Sequence, residues 1–129
     1  MTASKTEFLD ANILLEIILG RPKQQQAREF IERHDTLYIS ALTAHLVVHF
    51  GQSIVEMPII HEFLADYTIL PLDPMDFEWA FSNARNGDFE DALQIGVAIR
   101  NGCDSFITFD KRLAKDYKSL PQISIAFLA

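Results

Sequence analysis

The chain has 129 residues, of which 49% are hydrophobic and 22% are charged. This length and apolar content suit a single domain over residues 1–129 with a real core, and they exclude a disordered chain. The net charge of −7 argues against a nucleic-acid binder that relies on bulk charge, although an enzyme can still contact phosphates through metal ions and a few local cations.

The sequence also restricts the compartment in which we expect the protein. No apolar run reaches the ~18 uncharged residues that a membrane span requires, and the N-terminal residues do not have the pattern of a secretion signal. The single cysteine, Cys103, cannot form an internal disulfide, and we expect it to be a small buried residue. These features predict a cytoplasmic protein.

Strand-like apolar runs alternate with helical patterns in the first half of the chain. Asn12 is expected to cap the first helix and Gly20 to end it, and Pro22 suits the first turn of the second helix. The predicted elements are, in order, a strand over Thr6–Asp10, a helix over Ile13–Leu19, a helix from Pro22, a strand over Leu37–Ser40, a helix over Thr43–Phe50 closed by Gly51, and a helix from about Pro58 to Asp66 with Ile59, Ile60, Phe63 and Leu64 facing inward.

The alternation continues in the second half of the chain. The predicted elements are a strand over Thr68–Leu72, a helix starting at Asp73-Pro74, a helix from its cap Asp88 to about Asn101, a strand over Ser105–Thr108, a short helix over Lys111–Asp116, and a strand over Ile123–Phe127. Strands and helices in this order predict an α/β fold, with a parallel sheet covered by helices on both faces. Ligands of such sheets gather beyond the carboxyl ends of the strands.

Four aspartates fall at strand ends or helix starts. Asp10 and Asp110 follow predicted strands, and Asp88 and Asp91 begin a hydrophobic helix. Each could simply cap a helix, because Asp is a common cap. The first and fourth strands should be neighbours, however, which would bring Asp10, Asp91 and Asp110 together. Converging carboxylates raise one another's pKa unless a cation intervenes, and hard oxygen ligands select Mg²⁺ or Mn²⁺.

Three blocks of sequence resemble the PIN domain family, in particular the VapC-type toxin ribonucleases of toxin–antitoxin pairs. The run Phe8–Asn12 is similar to the family's opening strand end, and Tyr38–Thr43 to its second strand with the following helix start. Asp88–Ala92 followed by Gly102–Asp110 resembles its most diagnostic block. Together the blocks contain 25 of the 129 residues, and they stand in the family's order and spacing.

The resemblance implies a fold, an activity and partners. The expected fold is a three-layer α/β/α sandwich around a mostly parallel five-stranded sheet. The expected activity is Mg²⁺- or Mn²⁺-dependent cleavage of RNA by the toxin of a toxin–antitoxin pair, inhibited by a small antitoxin protein and often carried out by a homodimer. By residue, the resemblance implies catalytic, metal-binding carboxylates at Asp10, Asp91 and Asp110, an auxiliary metal-binding acid at Asp88, and supporting hydrogen bonds from Asn12 and Thr108.

One position departs from the family's pattern. The glutamate that family members usually carry early in the helix after the second strand is replaced by Leu46, which cannot coordinate a metal. His45 points about 100° away from that position on a helix, and His49 lies one turn further along. We expect both histidines to be partly buried at a core or dimer surface. Glu56 lies too far along the chain to substitute.

Three functions are therefore considered. The first is an active ribonuclease in which cations such as Arg21, Lys111 and Arg112 steer the RNA. The second is a PIN-like module with weakened or lost catalysis that binds RNA or a protein partner, as Leu46 suggests. The third is another α/β phosphate enzyme or receiver domain, which the motifs disfavour because a dehalogenase-type phosphatase needs an acid where Asn12 stands.

Aromatic residues are more abundant than a small core requires. Ten phenylalanines are present in the chain. The aromatic residues could all belong to the core, or some of them could form a dimer surface. The residues considered for a dimer surface are Phe50, Phe63, Trp79 and Phe81.

Overall fold

The computed structural model describes residues 5–129, and its centre is a five-stranded sheet in which every pairing is parallel. The strand order is β3-β2-β1-β4-β5. The strands are β1 (Glu7–Leu9), β2 (Leu37–Ser40), β3 (Thr68–Leu70), β4 (Ser105–Thr108) and β5 (Ser124–Phe127). The predicted α/β class and parallel sheet are confirmed.

Helices connect the strands and cover the sheet. They are α1 (Ala11–Ile18), α2 (Gln24–Glu32), α3 (Ala41–Gly51), α4 (Met57–Leu64), α5 (Pro74–Asn83), α6 (Phe89–Arg100) and α7 (Lys111–Asp116). No helix within residues 5–129 has the length and apolar character needed to span a membrane.

Alternating strand residues build two hydrophobic cores, one on each face of the sheet. Phe8 and Phe106 point to the face covered by α5, α6 and α7, and their rings stack at 5.4 Å. Leu9 and Ile107 point to the opposite face, which is covered by α1 to α4. The period of two along each strand thus creates the expected three-layer sandwich. Cys103 is buried in the first core, where burial raises the pKa of its thiol to about 11.

The first two helices begin at other residues than predicted. Asp10, not Asn12, caps α1, because its carboxylate accepts a hydrogen bond from the Ala11 backbone amide at 2.8 Å. Asn12 lies inside the helix. Pro22 precedes the second helix instead of forming its first turn, since α2 begins at Gln24.

Other boundaries and one buried face also differ from prediction. Gly51 does not close α3 but belongs to it, and the Ile18 and Ile60 side chains lie about 3.3 Å from where a Cβ would stand. Ile59, predicted to face inward, is 54% exposed, because the short α4 contributes mainly Ile60 to the core. Strand β3 stops at Leu70, before Pro71, which has no amide to donate to the sheet.

The register of β1 and β4 determines what meets at the carboxyl edge. Phe8 pairs with Phe106 and Leu9 with Ile107. Asp10 and Thr108 therefore follow side by side, and the Asp10 backbone amide donates to the Ile107 carbonyl at 2.9 Å. The pairing of β1 with β4, which was predicted from the sequence, therefore positions the candidate site.

Candidate active site

Asp10 is the most deeply buried carboxylate at this edge, with only 6% of the residue exposed. Its Oδ1 accepts the Ala11 amide, and its Oδ2 accepts the Thr108 hydroxyl at 2.8 Å and the Asn12 side-chain amide at 3.2 Å. Burial raises the pKa of Asp10 to about 6, and the charges of Asp110 and Glu90 add to this, whereas the hydrogen bonds from Thr108 and Ala11 oppose it.

Asn12 and Thr108 hold Asp10 in a fixed orientation. The Asn12 amide also donates to the Thr108 hydroxyl oxygen at 3.2 Å, and its carbonyl oxygen accepts the Phe109 backbone amide at 3.2 Å. Thr108 is fully buried. The start of α1 and the end of β4 are therefore joined by side chains that are 96 and 98 residues apart in sequence.

Asp88 and Asp91 sit at the start of α6. Asp88 caps this helix as predicted, because its Oδ1 accepts the Asp91 backbone amide at 3.1 Å. The pKa of Asp91 is raised to about 8, first by burial, then by the charge of Asp10, and then by Asp88 and Asp110. Burial and the neighbouring acids thus both favour the protonated form of the Asp91 carboxyl group.

Asp110 approaches from β4. Its Oδ1 accepts the Leu113 amide at 3.1 Å, which makes Asp110 the cap of α7, and its own backbone amide donates to the Thr108 hydroxyl oxygen at 2.9 Å. A carboxylate offers two oxygens and about four lone pairs. A single cap bond therefore leaves Asp88 and Asp110 with further acceptor capacity.

The four aspartates line one cavity of about 300 Å³. Glu90 is an exposed residue that also lines this cavity. Its remaining polar wall is Asn12, and its apolar wall is formed by Ala11, Leu15, Leu46 and Phe50. A second cavity, of about 250 Å³, shares Asp88, Asp91 and Asp110 and has its cationic side at Arg85 and Arg112.

The chemistry of these residues fits a divalent cation. The cavity presents carboxylate oxygens, which Mg²⁺ and Mn²⁺ prefer. Burial is the main cause of the raised pKa values of Asp10 and Asp91, and the charges of the neighbouring carboxylates raise them further. Within residues 5–129, however, no three His, Cys, Asp or Glu side chains already stand in the geometry of a metal site. The predicted acids thus line one cavity, but they are not arranged around a single metal position.

A comparison with protein families decides what kind of domain this is. The family model of the PIN domain matches residues 8–118, which include all four aspartates. The chain belongs to the PIN domain family. No curated protein sequence matches the chain significantly.

Solved structures with the same PIN fold are only distantly related in sequence. A toxin–antitoxin complex from Klebsiella pneumoniae has a TM-score of 0.74 at 19% identity, over 92% of this chain and 95% of that one. VapBC from Salmonella typhimurium bound to DNA has a TM-score of 0.69 at 18% identity, over 97% and 99%. VapBC2 from Rickettsia felis bound to a promoter DNA fragment has a TM-score of 0.67 at 16% identity, over 96% and 99%.

The position that departs from the PIN pattern lies inside the site. Leu46 lines the acidic cavity, so the expected glutamate would have faced the aspartates. His45 and His49 are exposed, which contradicts the prediction that they are partly buried, because α3 turns this flank away from both cores. Glu56 is an exposed residue before α4, at the N-cap position.

The predicted steering cations are distributed unevenly. Arg112 lines the second cavity, whereas Lys111 is exposed and Arg21 lies 3.9 Å from Glu16. Arg85 was not among the residues predicted from the sequence, yet its guanidinium lies over the Tyr117 ring at 5.5 Å and lines the same cavity as Arg112. The only sequence signal was its place three residues before the cap Asp88.

Proposed function

We propose that this PIN domain is a VapC-type ribonuclease that depends on Mg²⁺ or Mn²⁺, and that it acts as the toxin of a toxin–antitoxin pair. The observation that carries the proposal is the convergence of Asp10, Asp91 and Asp110 on one cavity at the carboxyl edge of the sheet. PIN family membership and the toxin–antitoxin complexes among its structural relatives support the same function.

Each acid has a distinct part in this proposal. Asp10, Asp91 and Asp110 would hold the ion, and Asp88 would assist from the cap of α6. An ion bound there would lower the pKa of water and stabilise the charge of a phosphodiester under attack. Asn12 and Thr108 would keep the Asp10 carboxylate oriented, because both donate hydrogen bonds to its Oδ2.

Cations beside the acids would receive the RNA backbone. Arg85 and Arg112 face the second cavity, which shares three of the aspartates. In a chain with a net charge of −7, such local cations would have to supply the attraction to phosphates. We therefore propose that binding is local to this edge and not spread over the surface.

The partners and compartment belong to the same proposal. We propose a small antitoxin protein as inhibitor, a cytoplasmic location and a homodimer. Of the aromatic residues considered for a dimer surface, Phe81 is 72% and Phe50 is 48% exposed, whereas Phe63 and Trp79 are partly buried. Phe81 on α5 is therefore the better candidate for contact between two copies.

Cleavage of single-stranded RNA with Mg²⁺ or Mn²⁺ tests the activity. We expect cleavage by the wild type and its loss in Asp10→Asn and Asp91→Asn, which keep the shape of the side chains. Asp35→Asn is the matched control, because Asp35 is exposed and precedes β2 at the opposite edge of the sheet. Equal activity of all four proteins would contradict the proposal.

Leu46 supports a second candidate function. Its side chain lines the acidic cavity where an acid is expected, so catalysis could be weakened and the domain could work by binding RNA or a protein. The variant Leu46→Glu discriminates between the two. A large gain in cleavage favours the impaired module, and strong cleavage by the unaltered protein rejects it.

A further inference from the structure

Helix α3 carries an exposed row of aromatic rings that ends at the acidic cavity. The rings of His45 and His49 stack at 5.8 Å with an interplanar angle of 23°, and the Phe50 ring meets His49 edge-on at 5.0 Å. Both histidines are exposed, and Phe50 is 48% exposed while lining the cavity that holds Asp10, Asp91 and Asp110. We call His45, His49 and Phe50 the α3 aromatic row.

The charge around this row is unusual for the protein. Among the seven helices within residues 5–129, α3 is the only one without an aspartate or glutamate. The carboxylate-free stretch extends over residues 36–55, although the chain contains 18 acidic residues. Helix α3 itself therefore adds no carboxylate repulsion to a polyanion that approaches the cavity along it.

The row also has the chemistry that single-stranded nucleic acids recognise. Unpaired bases stack on the rings of Phe, Tyr, Trp and His, and imidazole nitrogens can donate to phosphate oxygens. Buried histidines and phenylalanines serve packing, but these rings are exposed and contact one another on one flank of a helix. His45 and His49 are four residues apart, so their side chains are neighbours on the helix surface. Phe50 directly follows His49 and extends the row to the cavity.

We propose that the α3 aromatic row is the base-stacking platform for single-stranded RNA on its path to the aspartates. The inference rests on the proposed ribonuclease function for the identity of the polymer. It goes further by assigning the bases to one flank of the site, with Phe50 placing the nucleotide nearest the acids and His49 and His45 holding the next unpaired bases. The residue at the departure from the PIN pattern, Leu46, lies between these rings in sequence and provides an apolar floor for the Phe50-bound base.

Binding of a fluorescein-labelled single-stranded RNA, followed by fluorescence anisotropy in EDTA, tests the platform without cleavage or metal bridging. Phe50→Leu keeps an apolar side chain but removes the ring face, and we expect affinity to fall at least about fivefold. Phe50→Tyr keeps the ring and should bind within about twofold of the wild type. His49→Leu should weaken binding, and duplex RNA of the same sequence should bind less tightly because its bases are already stacked.

Ile54→Ser provides the matched surface control. Ile54 is 63% exposed, stands four residues after Phe50 in the sequence and carries no ring, so RNA affinity should not change. If Phe50→Leu and Phe50→Tyr bind RNA as the wild type does, the platform is wrong. The platform is also wrong if Phe50→Leu and Ile54→Ser both dissociate a dimer in sedimentation while leaving RNA affinity intact, since the surface would then contact protein.

The outcome for the platform can be separated from that for the nuclease. If the wild type cleaves RNA but the Phe50 variants bind RNA as tightly as the wild type, the platform is overturned and the ribonuclease proposal stands. Ring-dependent RNA binding without metal-dependent cleavage overturns the nuclease and supports the platform. Circular dichroism of each variant confirms that the exposed substitutions leave the fold unchanged.

Discussion

Thr108 donates its hydroxyl to Oδ2 of Asp10 at 2.8 Å, which joins the ends of two neighbouring strands that are 98 residues apart in sequence. The same hydroxyl oxygen accepts the backbone amide of Asp110 at 2.9 Å. The buried Thr108 side chain thus orients the Asp10 carboxylate and fixes the backbone of Asp110, both of which are candidate metal ligands. This arrangement depends on the β1–β4 register, and so the fold directly determines the geometry of the site.

Thr108→Val should destabilise the protein and impair the site. Valine keeps the shape of the side chain but leaves the Asp110 amide without its acceptor and removes one of the two hydrogen bonds to Asp10 Oδ2, at a cost of about 1–3 kcal/mol. Since the Thr108 hydrogen bond lowers the pKa of Asp10, its loss should also shift the acidic limb of any cleavage profile to higher pH. Urea unfolding and a pH–rate profile measure the two effects. Thr68→Val, on an exposed strand position, is the control; a Thr108→Val protein as stable as this control would refute the assigned role.

Without divalent ions, the protein should lose stability as the pH rises from about 4 to about 8. The folded-state pKa values of Asp10 and Asp91 are raised to about 6 and about 8 from the ordinary value of 3.8. The folded state therefore keeps protons that the unfolded state releases, so this contribution is fully present below pH 3.8 and is lost through the folded-state pKa values. Urea unfolding in EDTA should show a steeper decline for the wild type than for Asp91→Asn. Parallel curves would contradict the raised pKa of Asp91.

Arg100 holds α6 against α5, and its loss should be costly. Its Nε lies 2.7 Å from Oδ1 of Asp76, a side chain that is only 1% exposed, and its Nη2 donates to the Pro71 carbonyl. Arg100→Met leaves a buried carboxylate without its cation, and we expect a loss of about 3 kcal/mol. Arg112→Met is the matched control, because its 3.8 Å contact with Asp116 is exposed and should contribute less than about 1 kcal/mol. Equal losses in thermal unfolding would show that burial does not set the cost.

Leu46→Glu should increase divalent-ion affinity and reduce stability in the absence of the ion. The new carboxylate would enter a cavity that already holds the repelling aspartates. Thermal unfolding with and without Mg²⁺ should therefore show a larger ion-induced increase in Tm for the variant than for the wild type. Leu46→Gln, which adds a polar group without charge, separates the two effects. An equal increase in all three proteins would indicate that position 46 does not face the bound ion.

Much of the fold could be predicted because its local signals agree with its tertiary structure. Local signals such as Asp88 and Asp73-Pro74 mark the starts of α6 and α5. Each aspartate accepts a hydrogen bond from a backbone amide of the helix that it precedes. The acids at strand ends could be grouped because parallel strands end at a common edge. Asp10 was harder to assign, since a residue can cap a helix and line a site at once, and here it does both.

The remaining features depend on contacts that a single sequence does not reveal. The exposure of Ile59 and His49 depends on which flank of a short helix meets the core, and their local pattern fits either flank. Arg85 lines the second cavity because of its packing on Tyr117, 32 residues away along the chain. Leu46 lines the acidic cavity because α3 packs on α1, and this contact between helices could not be predicted from the sequence.

Isothermal titration of Mn²⁺ into the metal-free protein tests the central claim most directly. We predict one saturable binding process that releases protons, more at pH 7 than at pH 9, because Asp91 carries its proton up to about pH 8. Asp91→Asn and Asp10→Asn should weaken binding by at least tenfold, and Asp35→Asn should leave it unchanged. Binding of equal strength in all four proteins, or none in the wild type, would contradict a shared ion at these aspartates.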